Sequence, residues 1–422
     1  MAIDRWTDSN GSLAEYVADQ SERTLASYRE QPNLVTEHAN VEQDTAQGGY
    51  RNRQLFELVQ NSADALWPDP NAELTSDDTS RRRGGRIEVL LTNSDLYCAD
   101  DGDPISPDGV TALMFSHLSP KRGTSQIGTF GLGFKAVLGV SDSPEFFSRS
   151  GSFRFDRKRA RERVRDVVPD ADRCPILRLP EPIDPAERSE QYGELRELMA
   201  WANNIVRLPL RDGAREDLLQ QMRDLPAEFL LFVPHLKTLT LADSTTELNR
   251  VLELENVDDE YLLAEGDSTS HWKLFERTHW LSSDARADRR PGDDRMEVPI
   301  WWAAPVDRLD RPGKFWAFFP TNTASLVPGI LNAPWKTNED RQNLLSGPFN
   351  DELVGAASDL IADALPQLRA DDDPARHLDA LPRRHEAGDS EQASLLRELL
   401  FEALDDQPIV PDQNGELRLC CV

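Results

Sequence analysis

Along this 422-residue chain, apolar positions recur every three to four residues in some stretches and every second residue in others. The change of period separates helices from strands. "SLAEYVADQSERTLASYRE" predicts a helix near the start, and "YRNRQLFELVQNSADALWP" predicts a stronger one that Pro68 stops. "RIEVLLTNSDLYCADDGDPIS" predicts two strands around an Asn-Ser turn, running into an acidic loop. A short helix in "GVTALMFSHLSP", a hairpin turning at Gly151 and a polar helical insertion over about 157–173 follow. "CPILRLPEPI" and "NNIVRLPLR" read as further strands. "AEFLLFVPHLKTLTLA" is broken by Pro234, His235 and Lys237 and reads as a strand pair. An exposed loop over 282–299 precedes aromatic strands such as "KFWAFFPT" and the long helix "DELVGAASDLIADALPQL". The remainder reads as a charged linker region, then a hairpin with an Asn-Gly turn.

Composition narrows the class. The length predicts two domains and part of a third. A net charge of −28 argues against a general nucleic-acid binder, because phosphate is repelled overall. The chain has only 7 lysines against 40 arginines, and such an acidic surface predicts a salt-rich cytoplasm rather than a basic partner. None of Cys98, Cys174, Cys420 and Cys421 makes a C-x-x-C pair, and the histidines lack ligand spacing, so no structural zinc is expected. No leader pattern opens the chain and no apolar run approaches membrane-spanning length, so a cytoplasmic, membrane-free protein is expected.

Candidate chemistry concentrates in "QIGTFGLGFKAVLG", residues 126–139. Ordered glycines cost entropy, so such a run implies a sharp bend or a close approach. A P-loop needs Gly-Lys-Ser/Thr, and Phe134 separates Gly133 from Lys135. Gly131, Gly133 and Ala136 match G-x-G-x-x-A, with Asp156 downstream, so a dinucleotide fingerprint is one alternative. Two companions bear on the choice. Glu57, Asn61 and Asp64 are spaced four and three apart, which places them on one helix face. A wet stripe on an amphipathic helix has the same spacing. Asp100 to Pro104, "DDGDP", ends an apolar strand; Asp100 can accept from an adenine amino group and Gly102 leaves room for a flat base. An ordinary Asp-Gly turn reads the same.

Together these segments resemble the GHKL ATPases, which include the ninety-kilodalton heat-shock chaperones, gyrase-type subunits, MutL and histidine kinases. "ELVQNSADA" resembles the N-box, "DDGDP" the adenine box with Pro104 in place of its second glycine, and "IGTFGLGFK" the glycine box. Wording is nearest the heat-shock-90 and sacsin-like branch, and "FFPTNTASLVPGILNAPWKTNEDRQNLL" resembles a later sacsin-like segment. The resemblance implies an α/β Bergerat-type domain over 1–242, with an N-terminal helical extension and a mixed sheet covered by helices on one face. A second, smaller α/β domain follows over 243–370, then a linker and the start of a further region over 371–422. It implies Mg-ATP as ligand. Glu57 would be general base, Asn61 the Mg²⁺ ligand, Asp64 a support and Asp100 the adenine acceptor beside Gly102. Gly128, Gly131 and Gly133 would offer N–H groups to phosphates at a helix N-terminus, with Lys121 and Lys135 adding charge. Asn203 or Asn204 stands where the family often has threonine, and Asn204 is counted with the site. Arg341, just before an apolar helix start, would reach the γ-phosphate from the second domain; Lys336 is the other candidate, and an ion pair of Arg341 with Glu339 or Asp340 is the alternative. What the cycle drives stays open: a chaperone-like clamp, dimerising on ATP and acting on a client protein, or the ATPase part of a nucleic-acid defence or repair system. A binding-only module also stays open. A histidine kinase is disfavoured, because no histidine sits in a dimerising helix before the N-box.

Overall fold

The computed structural model describes residues 6, 12–48, 53–67, 84–115, 133–233, 235–289, 295–338, 341–370, 372–382, 390–405, 407–413 and 415–419. The chain is mixed α/β and forms two compact units: one from residues 1–121, 126–225 and 235–252, the other from 122–125, 226–234 and 253–422.

The first unit opens with helices α1 (Ser12–Glu30) and α2 (Asn33–Gln47), then α3 (Gln54–Ala65). Strands β1 (Gly85–Leu91) and β2 (Asp95–Asp100), the short helix α4 (Pro107–Met114) and a 3₁₀ helix over Gly133–Gly139 come next. Strands β3 (Glu145–Ser148) and β4 (Phe153–Arg154) form the expected hairpin, with Gly151 at φ +154°. Helix α5 (Arg157–Val167), strand β5 (Glu181–Pro182), helices α6 (Pro185–Gln191) and α7 (Gly193–Met199), strand β6 (Asn204–Pro209), helix α8 (Ala214–Asp224) and strand β7 (Leu236–Asp243) complete it. The strand order is β7-β1-β2-β6-β3-β4-β5, with β1 parallel to β7 and its other neighbours antiparallel.

Strand β2 is buried on both faces, so its residues sort by parity. Ser62 of α3 lies 3.5 Å from Cys98, which puts Cys98 and Asp100 beneath that helix. Tyr97 and Ala99 point the other way, into a core with Trp6, Leu195, Leu198 and Met199. Helices therefore cover both faces at β2, not the single face expected. A separate core joins α1, α2 and α5 through Leu25, Tyr28, Val35, Ala160 and Val164.

Two apolar stretches depart from their expected strands. Residues 174–180 form no strand, because the N–H groups of Ile176 and Leu177 donate to the buried Glu42 carboxylate at 2.6 and 2.9 Å instead of to a neighbouring strand. Ala227–Phe232 is a 3₁₀ helix rather than half of a strand pair. Its phenylalanines pack on rings of the second unit, Phe229 on Phe319 at 4.7 Å and Phe232 near Trp301 and Trp316. Tertiary burial outweighed local period there.

The second unit has strand order β13-β12-β14-β11-β10-β9, for β9 (Glu260–Glu265), β10 (Ser268–Trp280), β11 (Glu297–Pro305), β12 (Lys314–Trp316), β13 (Pro320–Ala324) and β14 (Ile330–Asn332). Strand β8 (Asn249–Val257) lies at the division between the units, and a short helix α9 (Ser283–Asp288) follows β10 in the sequence. Val298, Ile300, Trp302 and Ala304 of β11 face helix α10 (Pro348–Ala364), and Leu353, Val354 and Ile361 of α10 complete that core. Residues beyond 371, read from sequence as linker and the start of a further region, contribute Leu396, Leu400, Leu404 and Ile409 to this same core. The terminal hairpin forms from Pro408–Pro411 and Leu417–Leu419, with Gly415 at φ +79°. Among the described residues no helix is long and apolar enough to cross a membrane.

Candidate functional site

Register builds the centre of the site. Asp100 pairs with Asn204 across β2 and β6, and Asn204 pairs with Ser148 across β6 and β3. Directly paired residues point to the same face, so the three line up under α3. Asn204 Nδ2 donates to Asp100 Oδ1 at 2.8 Å and to the Asp103 carbonyl at 2.9 Å. Ser148 Oγ donates to Asn204 Oδ1 at 2.8 Å, so both ends of the amide are used. Asn203 turns away and donates to the carbonyls of Asp101 and Gly102, both at 2.9 Å.

Asp100 is 4% exposed. Burial pushes its carboxyl up to about 7, against hydrogen bonds from Asn204, Ser62 and the Gly102 N–H that favour the ionised form. Burial also lifts the neighbouring Cys98 thiol to about 12, so it stays neutral. The loop after Asp100 is fastened at several points. Ile105 N donates to Ser148 Oγ at 3.0 Å, and Ser150 Oγ donates to the Ile105 carbonyl at 2.6 Å. Asp103 N donates to the Ala65 carbonyl at 2.9 Å, which docks the loop on the C-terminal end of α3. A Cβ on Gly102 would stand 2.5 Å from the Ala65 carbonyl carbon and oxygen. The glycine is therefore required by the approach of two backbones, whereas the sequence reading kept its space for a base. Gly102→Ala is expected to destabilise the first unit by about 1–3 kcal/mol, the usual cost of overpacking, read as a lower denaturation midpoint. An unchanged midpoint would show that the helix end yields freely.

Helix α3 presents Glu57 and Asp64 on one face at 4% and 3% exposure, with Asn61 between them half-buried. Those values exclude the wet-stripe reading, since solvated stripes do not bury carboxylates. Among the described residues no group of three His, Cys, Asp or Glu side chains is placed to hold a metal.

The glycine box is only partly described. Lys121, Gly128 and Gly131 lie outside the described residues. Gly133 opens the 3₁₀ helix, and Lys135 two residues on is 0% exposed, in the field of the Glu42 carboxylate. Burial pushes Glu42 up and Lys135 down, so each tends toward its neutral form and the attraction between them opposes that. Sequence reading missed Glu42, Ser62, Ser148 and Arg178; only Ser62, next to Asn61, carried a local signal.

Arg341 does not precede a helix directly. It has a left-handed backbone, φ +57°, in a loop closed by a bridge between Thr337 and Leu344, and α10 begins only at Pro348. Asn338 Oδ1 accepts from the N–H groups of Gln342 and Asn343 at 3.1 Å and so shapes that loop. Lys336 Nζ is held by Asp288 Oδ1 at 2.5 Å. A polar cleft of about 1400 Å³ opens in the first unit between α2, α5 and the start of α8; Glu42 and Asp156 line it, and Glu57, Asn61, Asp64, Asp100 and Asn204 do not.

No family model matches the chain. Protein NO VEIN of Arabidopsis thaliana is similar over 103 residues at 31% identity, covering 24% of this chain and 3% of that protein. The chain thus spans a small fraction of that relative's length.

Proposed function

We propose that the first unit is a Mg-ATP-binding ATPase module of the GHKL type, with a Bergerat-type arrangement around β2 and α3. The observation that carries this reading is Asp100: a buried carboxyl at a strand end, fixed by Asn204 and the Gly102 N–H, under a helix that buries Glu57 and Asp64 on one face. In this reading ionised Asp100 accepts from the adenine amino group, and Asn204, Ser148 and Ser62 hold its orientation. Asn61 holds Mg²⁺, which supplies charge neutralisation at the phosphates when bound. Glu57 orients a water and takes its proton as the oxygen bonds to the γ-phosphorus and the bond to the β-phosphate oxygen breaks. A part for Arg341 in turnover rests on the resemblance, as does coupling of the cycle to a conformational change in a larger sacsin-like or chaperone-like protein.

Calorimetry at high salt tests binding, and pH adds a signature. A carboxyl raised to about 7 is largely protonated below that pH and cannot accept from the amino group. Affinity for adenosine, which carries no titrating phosphate, is therefore expected to rise as pH passes upward through about 7. Affinity level across that range would remove the ionised carboxyl from base recognition.

A further inference from the structure

Arg178 is not absorbed by the site described so far. It is 5% exposed, and among the described residues its Nε has no hydrogen-bond partner. The guanidinium stands over the Phe115 ring, 4.5 Å from its centroid. The stretch that carries it is pinned from the other side, because Glu42 accepts the N–H groups of Ile176 and Leu177. Lys135 shares the field of the same carboxylate. Arg178 and Lys135, both buried, thus lie in the field of the buried Glu42 carboxylate. Among the described residues, the other titratable groups in electrostatic contact with Arg178 are exposed Glu37, His38 and the Tyr28 hydroxyl, which is bonded to His38 Nδ1 at 2.8 Å. A guanidinium taken out of water without a carboxylate of its own is costly. Its flat fork, covered on one face by an aromatic ring, presents parallel N–H donors that fit the oxygens of a phosphate or a carboxylate.

We propose that Arg178, beneath the Phe115 ring, forms a phosphate subsite and receives the terminal phosphate of a bound nucleoside triphosphate. The identity of that ligand rests on the nucleotide reading; the oxyanion chemistry does not. Arg178 would act as a ligand-binding residue that separates triphosphate from diphosphate.

The test uses the full chain and three probes, tripolyphosphate, ATP and ADP, titrated calorimetrically into the parent and two variants. Arg178→Met keeps an unbranched stem over Phe115 without charge, and Arg178→Lys keeps charge without the fork. The expected result is that Arg178→Met loses tripolyphosphate and ATP affinity by about tenfold or more. ADP affinity should hold, and Arg178→Lys should recover part of the loss. Thermal melting checks folding; if Arg178→Met does not fold, the partial loss in Arg178→Lys is the readout. A parent chain that binds ATP while neither variant changes its preference for ATP over ADP overturns the subsite and leaves the nucleotide reading intact. Tripolyphosphate binding lost in the variants, with no gain from adenosine on the phosphates, upholds the subsite and sinks the nucleotide reading. A parent that binds neither tripolyphosphate nor ATP overturns both.

Discussion

Glu57→Ala is expected to bind ATP within a few-fold of the parent chain while turnover falls by about 10²- to 10⁴-fold, the usual contribution of a general base. The side chain is 4% exposed in the first turn of α3, one helical turn before Asn61. A buried carboxylate in that position touches the attacking water in the proposed mechanism and not the base, so its loss should appear in turnover rather than in affinity. Steady-state phosphate release and calorimetry on the same preparation separate the two effects. Normal hydrolysis in the alanine variant would mean that another group activates the water, and Asp64 on the same face would be examined next.

The second large effect belongs to Asp100→Asn, which should bind ATP at least about a hundredfold more weakly while the fold persists. The change keeps shape. Its remaining carbonyl oxygen can still accept from Asn204 Nδ2 and Gly102 N, the donors now at 2.8 and 3.0 Å from Oδ1. The second oxygen becomes an NH₂ group, and two donors then face each other where the adenine amino group should sit. Losing a charge-assisted hydrogen bond and leaving a donor unpaired accounts for about 3 kcal/mol, which corresponds to that factor. Because burial disfavours the ionised form of Asp100, the amide should not weaken the unliganded fold at neutral pH. Circular dichroism melts establish the fold and calorimetry the affinity. Full ATP affinity in a folded Asp100→Asn chain would sink the assignment of Asp100 to the base.

Local signals reached part of this picture. The three-four spacing of Glu57, Asn61 and Asp64 placed them on one face of a helix, because a helical residue meets its neighbours three and four positions away. The β1–β2 pair and its Asn-Ser turn were legible for the same reason, since hairpin partners are close in sequence. Alternation could also place Cys98 and Asp100 on one face of β2. It could not say what lies across the sheet. Asn204 is 104 residues from Asp100, and only the β2–β6 register brings its amide to that carboxyl. Ser148, another 56 residues from Asn204, joins them through β3. The failed strand at 174–180 has the same origin. Its apolar residues fit a strand, but a carboxylate 134 residues earlier accepts the N–H groups a strand would have used. Arg178 was invisible in the sequence because an arginine in an apolar run signals nothing until its surroundings are known. Its burial, its Phe115 cover and its unsatisfied Nε exist only in the folded chain. Periodicity and turn chemistry act over a few residues and so determined the elements; long-range pairing and burial, which no local pattern encodes, decided which side chains those elements bring together.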